Sequence, residues 1–549
     1  MSEPKRVLIV GGVAGGASCA ARLRRLDEFA EIVIFERGPH VSFANCGLPY
    51  YVGDVIREEA KLLVATPELF RQRFRIEVRT QAEVVAIDRA AREIEVLDHP
   101  SGERTRERYD ALVLSPGAAP LRPPIEGLDL PGVFSLRTIP DSRAIRDWME
   151  QRPVRRAAIV GGGYIGLEMA ENLARRGVAV TVVEIADQLL PVLDPEMAVY
   201  VSQHLAKHHV QVRLGQGVAS FEQTSEGLLV RTPHGAAIPA DLVLLSAGVR
   251  PETQLARAAG LELGERGGIR VDDRMRTSDP HIWAVGDAVE TRDVVTGEER
   301  LAPLAGPANR QGRIAADSIC GRPSAFRGVQ ATAVCGCFGL TVAMTGATEK
   351  TLERLGWDDY EAVYLHPTQH AGYYPGAKPI HLKLLFRKSD GRILGAQAAG
   401  EEGVERRIDV LAMAIQKQAT VFDLEETELC YAPQYGAAKD AVNMAGMIAA
   451  NVLRGDAEQA RWSELEATSA LIVDVRDPHE YARDYIDGAI NIPLDQLRDR
   501  LGELPRDREI WVNCAAGQRS YYALRVLRQR GFAVRNLSGG YQTFAAWYP

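Results

Sequence analysis

Several things are scarce in this 549-residue chain, and each scarcity excludes something. No apolar run is long enough to span a bilayer, and Met1 to Arg6 lead straight into Val7-Leu8-Ile9-Val10 with no apolar signal region and cleavage site. Positive charge is in deficit: 65 Lys and Arg against 73 Asp and Glu give a net charge of −8, which argues against general nucleic-acid binding and leaves room only for a local basic pocket. Cysteine is sparse: the seven are odd in number and scattered, so no disulfide framework is indicated. The eleven histidines form no metal-like cluster, and Cys335-Gly336-Cys337 is too closely spaced for zinc without further ligands, so no metal site is expected. The expected compartment is a reducing cytoplasm, where a retained cysteine is structural or catalytic.

Glycine is abundant, with 50 residues, and it falls in a pattern. Val7-Leu8-Ile9-Val10 is of buried-strand type and runs into Gly11-Gly12-Val13-Ala14-Gly15-Gly16. A helical stretch over residues 17–26 and a second strand, Ile32-Val33-Ile34-Phe35, ending at Glu36, complete a dinucleotide-binding βαβ layout. Glycines let the backbone approach a pyrophosphate, the helix N-terminus attracts it, and the acidic residue bonds a ribose hydroxyl. Val13 stands where the middle glycine usually falls. The pattern returns with the complete fingerprint Gly161-Gly162-Gly163-Tyr164-Ile165-Gly166, the strand Val180-Thr181-Val182-Val183 and Glu184. Two motifs, each closed by a glutamate, carry more weight than either alone. Strands 111–114 and 242–245 end in small-residue turns, Ser115-Pro116-Gly117 and Ser246-Ala247-Gly248, and Val285-Gly286-Asp287 puts an acid at a strand end.

On these residues the chain resembles, over about residues 5–450, the flavoprotein disulfide reductases with two dinucleotide-binding domains. The resemblance implies FAD in the first half, held by Gly11, Gly12, Ala14, Gly15 and Gly16, by Glu36 and Arg37, and by Ser115, Gly117 and Asp287. It implies NAD(H) in the second half, held by Gly161, Gly163, Tyr164, Ile165 and Gly166, with Glu184 and Gly248. Glu184 would repel the 2′-phosphate of NADPH, so NADH is preferred, with NADPH as the alternative. A dimerisation domain is implied after about residue 325.

Cys46 lies in Ser42-Phe43-Ala44-Asn45-Cys46-Gly47-Leu48-Pro49-Tyr50. Many relatives place two cysteines close together here as a redox disulfide; in this chain position 42 is serine and position 51 tyrosine. Cys46 must therefore work through a mixed disulfide with a substrate or through a sulfenic acid. Pro49 favours a helix start just after it, and a helix N-terminus lowers a thiol pKa. The stretch resembles the coenzyme A disulfide reductases and the related coenzyme A-dependent persulfide and polysulfide reductases. Ser18, Arg22 and Arg25 share one helix face by spacing. The resemblance implies that this face, with Ser42, Asn45, Asn309 and Lys439, contacts coenzyme A. It also implies a homodimer in which Tyr373 and Tyr431 reach the partner's cysteine, where a phenol could donate a proton to a leaving thiolate.

After a short polar connector at residues 454–460, the chain reads as a small α/β domain. Asp474-Val475-Arg476, Gly488-Ala489-Ile490-Asn491-Ile492-Pro493, the loop Cys514-Ala515-Ala516-Gly517-Gln518-Arg519-Ser520 and Leu537-Ser538-Gly539-Gly540 resemble a rhodanese domain, with Tyr485 where a histidine is common. A cysteine followed by such a loop makes a cradle of backbone N–H groups for a thiolate or persulfide, with Arg519 adding charge. Cys514 would then carry sulfane sulfur.

The expected fold is α/β: two Rossmann-like domains, an α+β dimerisation domain and a C-terminal rhodanese domain. The expected boundaries are 1–150 and 276–325 for the FAD domain, 151–275 for the NAD domain, 326–452 for dimerisation and 462–549 for rhodanese. The expected activity is NADH-dependent reduction of sulfur–sulfur bonds in persulfides or polysulfides, with no membrane or nucleic-acid partner. Coenzyme A disulfide reduction is the alternative, followed by a sulfurtransferase fused to a flavoprotein of NADH oxidase or peroxidase type.

Overall fold

The computed structural model describes residues 4–548; residues 1–3 and 549, at the outer ends of the first and last expected domains, lie outside the described residues. The chain forms two compact units, Met1–Asp187 with His209–Ala331, and Gln188–His208 with Thr332–Pro549. No helix among the described residues is long and apolar enough to cross a membrane.

The first unit holds two five-stranded parallel sheets built on one plan. One is ordered Ile282–Ala284, Ala111–Leu114, Arg6–Val10, Glu31–Glu36, Glu77–Thr80. The other is ordered Gln211–Arg213, Ala179–Val183, Arg156–Val160, Leu242–Leu245, Val133–Phe134. The central registers match: Val7 faces Ile32 and Ala111, and Ala157 faces Val180 and Leu242. These strands are buried on both faces, which is why they read as unbroken apolar runs. The helix Ala14–Leu26 crosses Ala305–Ile319 so closely that a Cβ on Gly312 would stand 2.3 Å from the Gly15 carbonyl oxygen.

Two boundaries differ from expectation. Val133–Phe134 joins the second sheet, so the crossing lies nearer the antiparallel pair Ala118–Pro120 and Val249–Pro251 than residue 150. On the return, Ala256, Leu261 and Ile269 already pack in the core of Leu8 and Val33, ahead of residue 276. Short connecting strands carry too little pattern to mark such crossings in a sequence.

The second unit holds an antiparallel sheet ordered Ala333–Cys337, Leu340–Gly346, Ile393–Gly400, Ile380–Arg387, Tyr360–Leu365. It also holds a parallel sheet ordered Gln459–Ala460, Val534–Leu537, Ile510–Asn513, Leu471–Asp474, Ile490–Asn491. The small C-terminal fold therefore begins before residue 462, with Gln459–Ala460 paired to Asn536 and Leu537. Its sheet is fastened to the edge strand of the other. The Tyr364 N–H donates to Ser538 Oγ at 3.0 Å, and the Tyr364 ring is buried with Trp462, Trp511 and Leu537.

The helix Pro195–Lys207, expected in the NAD domain, belongs to this unit because of a buried ion cluster. The Lys383 ammonium, fully buried, lies 2.8 Å from Asp194, 2.5 Å from Glu196 and 2.5 Å from Glu349. Tyr364 donates to Glu196 at 2.7 Å, and the Glu349 and Lys350 amides donate to Asp194. Burial would raise the pKa of Asp194, but the Lys383 charge and these donors outweigh it and hold it below the usual value. A lowered carboxylate pKa stabilises the fold at neutral pH, and the contribution is lost as pH falls through that value. Lys383→Met leaves three carboxylates without their cation and should destabilise the second unit by about 3–5 kcal/mol. Denaturant unfolding of the full chain checks this; an unchanged midpoint would contradict it.

Candidate active site

The first glycine loop is shaped by close approach. Gly11 has φ of 88°, and a Cβ there would sit 2.1 Å from the Ser115 carbonyl oxygen. A Cβ on Gly16 would lie 1.9 Å from the Gly11 oxygen. Glu36 closes the loop: one carboxylate oxygen accepts from the Gly12 amide at 3.0 Å, the other from Gly38 at 2.9 Å. The second half repeats this device. Glu184 accepts from the Gly162 amide at 2.6 Å and the Ala186 amide at 2.8 Å, and a Cβ on Gly166 would stand 2.1 Å from the Gly161 oxygen. Gly163 faces open space, so the backbone there is free to meet a phosphate, as is the N-terminus of the helix Tyr164–Arg175 with Ile165 exposed. Gly248, with φ of 105°, turns the chain at the end of the neighbouring strand.

Beside the first loop lies a cleft of about 600 Å³. Gly11, Ala14, Gly15, Glu36 and Arg37 line one part, and Ser115, Gly117 and Asp287 another. Gly12 and Gly16 do not line it; their smallness serves the packing of loop, strand and helix. Arg37 is tied to Glu252 at 2.5 Å, and Asp287 to Arg137 at 3.2 Å. The size, the glycine cradle and the paired acids fit a dinucleotide.

Asn45 and Cys46 stand on the wall of this cleft, and Cys46 is the only cysteine there. Asn45–Gly47 forms a 3-10 turn ahead of the short helix Leu48–Val52, with Pro49 in its first turn as the sequence predicts. Ser42 holds the turn in place. It adopts a left-handed φ of 47°, its amide donates to the Gly12 oxygen at 2.8 Å, and its oxygen accepts from Val64 and Ala65. Its side chain is buried beside the turn, and its backbone acts as a clamp.

The expected lowering of the Cys46 pKa is not what this environment does. Desolvation pushes the thiol up and the Glu168 carboxylate adds to it; Arg137 and the turn backbone oppose but do not prevail. Glu168 itself is raised by burial, and accepts from the Tyr50 hydroxyl at 3.2 Å. Sequence reasoning missed Glu168, Tyr50 and Arg137. The signal for Glu168 was its place two residues after Gly166, on the helix that the second fingerprint opens; Arg137 had none.

Of the expected coenzyme A face, Ser18 and Asn309 come together, the Ser18 hydroxyl donating to Asn309 Oδ1. Arg25 is exposed, but the Arg22 guanidinium is held by Asp317 at 2.8 Å, and its charge is partly spent there. Lys439 is exposed in the second unit, just before Asp440, which caps the helix Ala441–Leu453. In that unit Tyr373 and Tyr431, 58 residues apart, share a hydroxyl–hydroxyl hydrogen bond of 2.8 Å on an open surface, 75% and 50% exposed.

Cys514 follows the strand Ile510–Asn513 and is buried. The Gly517 amide donates to its Sγ at 3.1 Å, at the N-terminus of the helix Gln518–Gln529. The Tyr541 amide donates to the Cys514 oxygen at 2.7 Å, and a Cβ on Gly540 would stand 2.3 Å from that oxygen. Arg519 feels the charge of Cys514, as expected, but shares its own: Glu480 takes its guanidinium in a two-point pair at 2.6 and 2.7 Å.

Residues 5–312 match the family described as pyridine nucleotide-disulphide oxidoreductase. The chain belongs to that family. Residues 332–442 match the dimerisation domain of these oxidoreductases, and residues 458–546 a rhodanese-like domain. This oxidoreductase is 35% identical over 443 residues to the coenzyme A disulfide reductase of Staphylococcus haemolyticus, covering 80% of this chain and 98% of that one. Among solved structures, reduced CoADR-RHD of Bacillus anthracis is 46% identical, with a TM-score of 0.97 over 99% of this chain and 98% of the other. A NAD-dependent persulfide reductase from A. fulgidus is 38% identical, with a TM-score of 0.91 over 99% and 100%.

If Glu168 holds the thiol up, Glu168→Gln should let Cys46 react at lower pH. The alkylation rate of Cys46 against pH, followed by peptide mass, checks this; an unshifted profile would remove Glu168 from the account.

Proposed function

We propose that the protein is an NADH-dependent FAD enzyme that reduces the sulfur–sulfur bond of persulfides and polysulfides, coenzyme A persulfide above all, with Cys514 as sulfane-sulfur carrier. The observation that carries this reading is a lone thiol in the dinucleotide cleft joined, in one chain, to a second cysteine held in a cradle of amides. A dedicated disulfide reductase has no need of a persulfide carrier.

The Cys46 thiolate attacks the inner sulfur of coenzyme A persulfide. A Cys46–S–S–coenzyme A bond forms, the persulfide S–S bond breaks, and hydrosulfide leaves. Two further electrons return Cys46 and coenzyme A to thiolates; a bound flavin supplies them from the nicotinamide. Glu36 and Glu184 would hold the two nucleotides by ribose hydroxyls, and Glu184 would disfavour a 2′-phosphate. Ser18, Arg25, Asn45 and Asn309 would bind the coenzyme, with Lys439 and the remaining charge of Arg22. Tyr373 and Tyr431 would face the partner subunit's site in a homodimer, their shared hydrogen bond ready to deliver a proton to the departing thiolate. A reducing cytoplasm suits both thiols.

The alternative, coenzyme A disulfide reduction, draws on the Staphylococcus relative, whose similarity spans 443 residues of this chain. NADH oxidation separates the two. Turnover should be faster with coenzyme A persulfide or polysulfide than with coenzyme A disulfide, and hydrosulfide should accumulate; absence of hydrosulfide from every sulfane donor would reject the reading. Cys46→Ser should abolish turnover with all of them, and full activity in that variant would sink the mechanism. Tyr373→Phe with Tyr431→Phe should slow turnover by about 10²-fold, the scale of a lost proton donor; an unchanged kcat would leave the pair to interface packing.

A further inference from the structure

The electrostatics of the Cys514 loop select a donor, an inference that rests on the carrier reading above. The loop offers charge on sulfur two neutral dipoles, the Gly517 amide on Sγ and the start of the helix Gln518–Gln529, and one cation within electrostatic reach of Cys514. Its one cation, Arg519, is matched by Glu480 at 2.6 and 2.7 Å, with Asp477 a further 3.6 Å contact. The pair is tight enough that the Arg519 hydrogen bond holds the Glu480 pKa down at about 2. Asp477, the N-cap of the short helix Pro478–Tyr481, converges with His479 and Glu480 of that helix, so one cation stands against two carboxylates. The next arginine, Arg476, is buried, bound to Asp474 at 2.7 Å and stacked over Tyr541 at 4.2 Å. Ala515 and Ala516 add no charge and little bulk.

We infer that Cys514 takes sulfane sulfur from organic persulfides and discriminates against the dianion thiosulfate, with the Glu480–Arg519 pair as the specificity device. From an organic persulfide anion, the Cys514 thiolate attacks the outer sulfur. The donor S–S bond breaks, a Cys514 S–S bond forms, and a single thiolate leaves, with one negative charge on each product. From thiosulfate the same attack expels sulfite with two negative charges, where the loop's one cation is already shared with two carboxylates. Like charges brought together in this way oppose approach and departure alike.

The test uses the full holoenzyme and follows the gain of one sulfur on the Cys514 peptide by mass spectrometry, with 2-hydroxyethyl persulfide, a monoanion, or thiosulfate as donor. The wild type should load from the persulfide at least about tenfold faster than from thiosulfate, the scale set by uncompensated like charge. Glu480→Gln, which removes a carboxylate and releases Arg519, should narrow that ratio. Ala515→Arg, which adds a cation and leaves the pair in place, should narrow it independently, so a folding defect in one variant does not decide the result. Equal loading of the wild type by both donors, or a ratio unmoved in both variants, overturns the selectivity and leaves the carrier intact. Loading by neither donor overturns the carrier reading, and the selectivity with it.

Discussion

A thiol that forms a disulfide needs a second sulfur within a few ångströms, and the cleft of the first unit offers Cys46 none. Much of the remaining chemistry follows from that constraint. The partner has to arrive as a small molecule, so the wall beside Cys46 must bind one. The bond formed has to be broken again by electrons, so the thiol must stand beside a dinucleotide. The protein around Cys46 also holds the thiol up, through desolvation and Glu168. A cysteine kept protonated in this way is less open to indiscriminate oxidation.

The two halves of the first unit show how one local device sets a fold and a site together. In each, a glutamate at the end of the second strand receives the amide of the glycine loop, at Gly12 in one and Gly162 in the other. The loop is thereby clamped to the neighbouring strand, and glycine is forced where helix meets carbonyl. This is why the motif was legible in the sequence: strand, loop, helix and acid are neighbours along the chain, and each constrains the next. The lone Cys46, the proline-started helix and the Cys514 cradle were legible for the same local reason.

The parts that escaped are pairings between residues far apart in the chain. Nothing near Lys383 announces Asp194 and Glu196, yet their cluster moves a helix from the expected NAD domain into the second unit. Arg519 reads as charge added for Cys514, and only the fold shows Glu480, 39 residues earlier, sharing it. Arg22 likewise meets Asp317, almost 300 residues on. Long arginine and lysine side chains find carboxylates wherever the topology brings them, and charge read along a sequence overstates what is left for a ligand. The fastening of Tyr364 to Ser538 belongs here as well. It packs the domain after the polar connector against the sheet before it, with the Cys514 loop backed by the Gly540 turn.

The central claim is that an exogenous thiol, coenzyme A, completes the Cys46 redox pair. Peptide mass spectrometry of the purified, unreduced protein tests it most directly. The account predicts a coenzyme A adduct on the Cys46 peptide that disappears when NADH is added. A Cys46 found only as a sulfenic acid, or joined to another cysteine of the chain, would contradict it.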